Sequence, residues 1–87
     1  MSKRDEYNGF IADNIRRLRK EHGWSQEQLT IKLQTMGIDY TRARISQIEL
    51  KKRPPAVVLI VALTYIFDCE YHDFFAEIEE EYDTLFP

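Results

Sequence analysis

Twelve consecutive residues, AVVLIVALTYIF from Ala56 to Phe67, carry no charge. A membrane-spanning helix needs about 20 apolar residues, so this run is too short to cross a bilayer. A helix that is apolar on every side is normally buried on more than one side, so other elements must surround it. Pro54 and Pro55 stop whatever precedes the run, and Pro55 is suited to the first position of the helix that follows.

The rest of the chain supplies partners at helical spacing. In FIADNIRRLRKEHG, Ile11, Ile15 and Leu18 recur every four and three residues with the bases on other faces, and Gly23 supplies a stop. Ser25 reads as a helix cap with Gln28 at the reciprocal capping position, and Leu29 and Leu33 mark the buried stripe of a second helix ended by Gly37. Thr41 or Asp39 can cap a third helix with Ile45 and Ile48 inward. After the apolar fourth helix, EYHDFF predicts a short fifth, returning Tyr71 and Phe74 to the core. AEIEEEYDTLF then offers Ile78, Tyr82 and Leu85 on one face of an acidic amphipathic helix. Strand periodicity is absent, so the expected class is all-α. The expected division is a domain over 1–75 and an acidic C-terminal element over 76–87.

Eighty-seven residues suffice for one domain, near the lower limit for a core without metals or disulfides. The single cysteine, Cys69, excludes an internal disulfide. The charged start MSKRDEYNGF lacks an apolar signal core, so the expectation is a reducing cytoplasm, in association with the nucleoid. Charge is divided along the chain. Residues 1–55 hold all twelve Lys and Arg beside seven Asp and Glu, a net +5, while residues 56–87 hold eight acids and no base, −8. That asymmetry suits a polyanion-binding part joined to an acidic tail.

The stretch YTRARISQIELKKR focuses this expectation. With Ile45 and Ile48 inward, a 100° wheel points Ala43, Ser46 and Gln47 outward and sets Arg42 and Arg44 on the flanks. Arginine can grip guanine O6 and N7, glutamine adenine N6 and N7, and alanine a thymine methyl. Arg42, Ala43 and Gln47 therefore read as base contacts. Arg44 suits a base or a phosphate, and Lys51, Lys52 and Arg53 suit phosphates.

NIRRLRKEHGWSQEQLTIKL, TRARISQIE and KKRPP resemble the phage-repressor and Cro type of helix-turn-helix domain, the XRE family, and the resemblance runs from Ile11 to Phe75. It implies a compact five-helix repressor-like fold and a sequence-specific regulator of transcription, a repressor that binds duplex DNA as a homodimer. It implies that Gln26 holds a phosphate and braces the reading helix. Arg42, Ala43 and Gln47 match base-contacting positions, and Thr41 and Arg44 match positions near the backbone. Arg19 and Glu49 match an ion pair tying the third helix to the first. Three departures stand out. QTMGID fills the space between Leu33 and Tyr40 where one residue is usual, so a longer second helix or a wider turn is expected. Lys51 replaces a usual glycine, and Val58, Leu59, Ala62 and Tyr65 replace polar residues.

Val58, Ala62 and Tyr65 fall on one stripe, and Ile78, Tyr82 and Leu85 are the apolar surface left to meet it, within one chain or across a two-fold dimer. A protein-interaction module of antitoxin or adaptor type, acting through helix 56–67 and the tail, is the rival reading. Arg16, Arg17 and Lys20 read first as a solvated face, with the DNA backbone as the alternative. Trp24 reads as an anchor at a turn rather than a base-stacking platform. Cys69 and His72 lack the second pair of a zinc site. No phosphate loop and no nucleophile–base pairing is present, so neither an enzyme nor a cofactor or metal is expected.

Overall fold

Side-chain chemistry sets where each helix starts and stops. The computed structural model describes residues 2–86, and among them it holds five α-helices and no strand. These are α1 (Lys3–Glu21), α2 (Gln26–Thr35), α3 (Arg42–Glu49), α4 (Val57–Phe67) and α5 (His72–Leu85). At the start of α2, Ser25 Oγ accepts from the Gln28 N–H at 3.1 Å while Gln28 Oε1 accepts from the Ser25 N–H at 2.8 Å. Two of the helix's unpaired donors are satisfied at once. Thr41, not Asp39, caps α3 by accepting from the Arg44 N–H at 3.2 Å.

Three helices end in the same way. The residue two beyond the last helical position is left-handed: Gly23 at φ +73°, Gly37 at φ +82° and Lys51 at φ +66°. The next N–H then reaches back along the helix, Trp24 to Arg19 O, Ile38 to Leu33 O and Lys52 to Gln47 O, at 2.9–3.1 Å. Lys51 thus answers the question raised by its missing glycine. Helix α3 stops there, in a conformation that L side chains adopt at a cost. QTMGID divides: Gln34 and Thr35 lengthen α2, and residues 36–39 form a wider turn, with Gln34 Nε2 donating to Tyr40 O at 3.2 Å.

The core joins Ile15 and Leu18 of α1, Leu29 and Leu33 of α2, and Ile45 and Ile48 of α3. Leu59 and Leu63 of α4, Phe74 of α5 and Tyr40 from the turn complete it. Helix α1 packs on α3 and α5, and α2 on α3 and α4. At roughly 1.5–3 kcal/mol for each large apolar side chain buried, this core outweighs any exposed ion pair. Trp24 is the expected anchor: its ring stacks on Phe67 at 5.8 Å, and Lys32 Nζ lies 4.3 Å from its centroid.

Several expectations need correction, among them the return of Tyr71 to the core: it precedes the first residue of α5 and is 50% exposed. Helix α1 begins at Lys3, seven residues before the periodic stretch that starts at Phe10, because Ser2 caps it and Asp5 and Glu6 sit favourably in its first turn. Pro55 does not open α4. Ala56 is extended and caps that helix through its backbone alone, so the first turn starts at Val57. The fifth helix and the acidic tail are one helix, α5, which runs through the 75/76 boundary; Phe75, Ala76 and Glu77 contain nothing that breaks a helix. Within the chain the tail docks on α1, not α4. Asn14 Nδ2 donates to Phe74 O at 3.1 Å and to Glu77 Oε2 at 2.9 Å, and the Tyr82 ring meets Tyr7 at 6.1 Å. Ile78 is half-buried, whereas Leu85 stays exposed. On α4, Ala62 turns into the core while Val58 and Tyr65 are 54% and 74% exposed, so those three do not form one free stripe.

Candidate nucleic-acid interface

Burying Ile45 and Ile48 turns the opposite side of α3 outward. Arg42, Ala43 and Gln47 are exposed, and Ser46 and Arg44 are half-buried beside them. A guanidinium, a methyl and a carboxamide therefore share one accessible helix surface.

Arg44 is held differently from Arg42. Its guanidinium carbon lies 4.5 Å from the centroid of the Tyr40 ring, and Tyr40 is itself buried. Its Nε is buried without a hydrogen-bond partner among the described residues. Cation–π stacking on Tyr40 thus limits the rotamers of Arg44 and aims its terminal nitrogens outward.

Behind α3 lies the braced pair. Arg19 Nε donates to Glu49 Oε2 and Arg19 Nη2 to Glu49 Oε1, both at 2.8 Å, a bidentate arrangement. The remaining guanidinium nitrogen, Nη1, donates to Trp24 O at 2.7 Å. Hydrogen bonding to Glu49 outweighs desolvation and holds the Arg19 guanidinium above its ordinary value. Gln26 Nε2 adds a bond to Glu49 Oε1 at 3.2 Å, so the first residue of α2 is fastened to the last of α3. A part-buried hydrogen bond thus adds to the apolar packing that sets the angle between these two helices. Removing either charge alone would leave the other buried, at a cost of about 3–5 kcal/mol.

The bases around α3 sort by partner. Arg16 lines a small pocket of about 140 Å³ with Gln26 and Ser46, beside α3. Arg17 pairs with Glu21 at 3.0 Å, and Lys20 is exposed. Past α3, Lys51 Nζ lies 3.1 Å from Asp13 Oδ2, and Lys52 and Arg53 are exposed without an ion pair among the described residues. Thr41 faces solvent while serving as the α3 cap. Cys69 and His72 diverge: the thiol is half-buried and pushed up by desolvation, and the imidazole bonds Glu79 at 2.6 Å.

Three residues near this face escaped the sequence reading. Tyr40 was legible as an apolar residue before the cap, but its partnership with Arg44 needs the turn geometry. Arg4 and Asn8 fell in a segment read only for its charge, yet they line a cleft of about 400 Å³ with Lys51, Lys52 and Arg53. The i, i+4 spacing of Arg4 and Asn8 was the available signal. Comparison of the chain with known protein families, with curated proteins and with solved structures finds no match.

Proposed function

We infer that this protein is a sequence-specific double-stranded DNA-binding regulator of transcription, a repressor that acts as a homodimer in the cytoplasm at the nucleoid. The observation that carries the reading is the outer face of α3, where Arg42, Ala43 and Gln47 stand exposed on a helix braced from behind. Helix α3 enters the major groove. Arg42 reads guanine, Gln47 adenine and Ala43 a thymine methyl. Gln26, Thr41, Arg44, Lys51, Lys52 and Arg53 contact the backbone and set the register. A second copy, docked on the exposed apolar residues of α4, sets half-sites about one helical turn (~34 Å) apart.

Selection from random duplexes tests this reading, with a palindromic site as the expected result. Arg42→Ala is expected to relax one base position at about 1–3 kcal/mol, whereas Lys52→Ala weakens all duplexes alike and flattens the salt dependence. Recovery of no preferred sequence, or intact selectivity in Arg42→Ala, refutes α3 as the reader.

A second reading draws on Val57, Val58, Val61 and Tyr65, which leave an apolar face of α4 in solvent. In that reading α4 and the tail dock a partner protein, as an antitoxin or adaptor does, with or without DNA.

A further inference from the structure

Helix α1 looks in two directions. Lys3, Tyr7 and Asn14 face α5, and Lys3 Nζ meets Glu81 Oε1 at 2.6 Å. Arg4, Asp5, Asn8 and Gly9 face the loop after α3, where Lys51, Lys52, Arg53 and Pro54 close the other wall of the 400 Å³ cleft. Gly9 lies against the side chain of Lys51 in that wall. A Cβ there would sit 3.6 Å from Lys51 Cδ, so the aliphatic stem of Lys51 lies along the bare backbone of α1. Its Nζ then reaches Asp13, one turn further on. Lys51 thereby pins the loop to α1 while its side chain stays more than half exposed, and its left-handed backbone turns Lys52 and Arg53 toward the cleft.

Arg4, Lys52 and Arg53 remain as lining cations without an ion pair among the described residues, against the single carboxylate of Asp5. Asn8 adds a carboxamide that makes no hydrogen bond among the described residues. No acid of α5 lines the cleft, and Glu81 is engaged by Lys3.

We propose that this cleft is a phosphate-binding site in which Arg4 and Asn8 on α1 clamp a phosphate group against Lys52 and Arg53. A tetrahedral oxyanion suits a forked guanidinium and an amide donor on one side and a lysine with a second guanidinium on the other. The phosphate belongs either to a duplex backbone running past α3, which rests on the DNA-binding reading, or to a free phosphorylated molecule, which does not. In the first case α1 extends the backbone footprint beyond the loop after α3.

The test uses the full chain and its exposed-site variant Arg4→Ala, with Arg4→Lys as the charge-preserving control. One arm measures the salt dependence of Kd for a duplex recovered by selection. The other follows backbone amide shifts while inorganic phosphate is added. For a duplex phosphate, Arg4→Ala lowers the slope of log Kd against log salt by about one and leaves sequence preference intact, and Arg4→Lys restores the slope. For a free phosphorylated molecule, the slope does not respond, or no duplex binds at all. Inorganic phosphate then shifts the Asn8, Gly9 and Lys52 amides in the parent and not in Arg4→Ala. An unchanged slope, or no duplex binding, together with no phosphate-dependent shift in the cleft overturns the proposal. Failure to bind duplex while the shifts persist overturns only the DNA reading.

Discussion

Lys51 occupies the position where α1 and α2 carry glycine, and its φ of +66° puts a side chain in the left-handed region. That conformation costs about 1–2 kcal/mol for an L residue, whereas the half-exposed pair with Asp13 returns about 0–1 kcal/mol. Glycine would also gain unfolded-state entropy of about 0.4–1 kcal/mol. Lys51→Gly is therefore expected to raise stability by only about 0.5 kcal/mol, read as a small increase in urea midpoint. A midpoint that falls would mean that the stem packed on Gly9 outweighs the strain. Other residues were legible because their chemistry is local. Ser25 with Gln28, Gly23, Gly37 and Thr41 each act on a neighbour within a few positions, and Ile45 and Ile48 declare the inward face of α3 by spacing alone. Arg44 was not legible in this way, since its place depends on Tyr40 being buried by other elements.

At the level of elements, five or six helices were expected from periodicity and five are found, but how the C-terminal ones join and dock was not expected. Period and spacing described EYHDFF and AEIEEEYDTLF correctly as helical. Only the missing breaker at Phe75–Ala76 signalled that they are continuous. Ile78 and Tyr82 could satisfy either of two apolar surfaces, and the second became available only because α1 extends back to Lys3 and presents Tyr7. This α1–α5 contact has a pH signature. Partial burial and the nearby Glu81 carboxylate push the Tyr7 phenol up to about 12, and Lys3 followed by Tyr7 holds Glu81 below its ordinary value. A raised phenol stabilises the fold fully below its ordinary value of 10.0 and loses that contribution as pH rises toward 12. The lowered carboxylate contributes above its ordinary value of 4.5 and loses its contribution as pH falls through the depressed one. The contact is thus firmest between those limits. In an ultraviolet titration of the five tyrosines, Tyr7→Phe is expected to remove the last to ionise. Persistence of that late step would place it elsewhere.

Taken whole, the molecule separates its charges as well as its sequence does. Basic groups surround α3 and the loop beyond it, and the acids of α5 lie along α1, where Lys3 and Asn14 engage Glu81 and Glu77. Net charge alone, −3, concealed a cationic face. The exposed Val57, Val58, Val61 and Tyr65 lie on α4, outside the core and outside the α1–α5 contact. For a homodimer built on this surface, Val58→Asp with Tyr65→Asp is expected to halve the mass seen by light scattering. It would also abolish recognition of a palindrome while leaving weak half-site binding. Unchanged mass with loss of a captured partner protein favours the interaction-module reading instead. The apolar character of α4 was plain from its composition, but which side the core would claim was not, because nearly every position qualifies.

Lys3 and Glu81 meet although 78 positions separate them along the chain. Closing so wide a ring sacrifices more chain freedom than forming the neighbouring α2–α3 contacts, and topology of this kind governs the sequence of events during folding. Helix α3 and its brace should therefore assemble before the ends of the chain come together. Asn14→Ala is expected to accelerate unfolding while leaving the refolding rate nearly untouched, so a φ-value near zero in a chevron measurement would mark the closing of this ring as the final step.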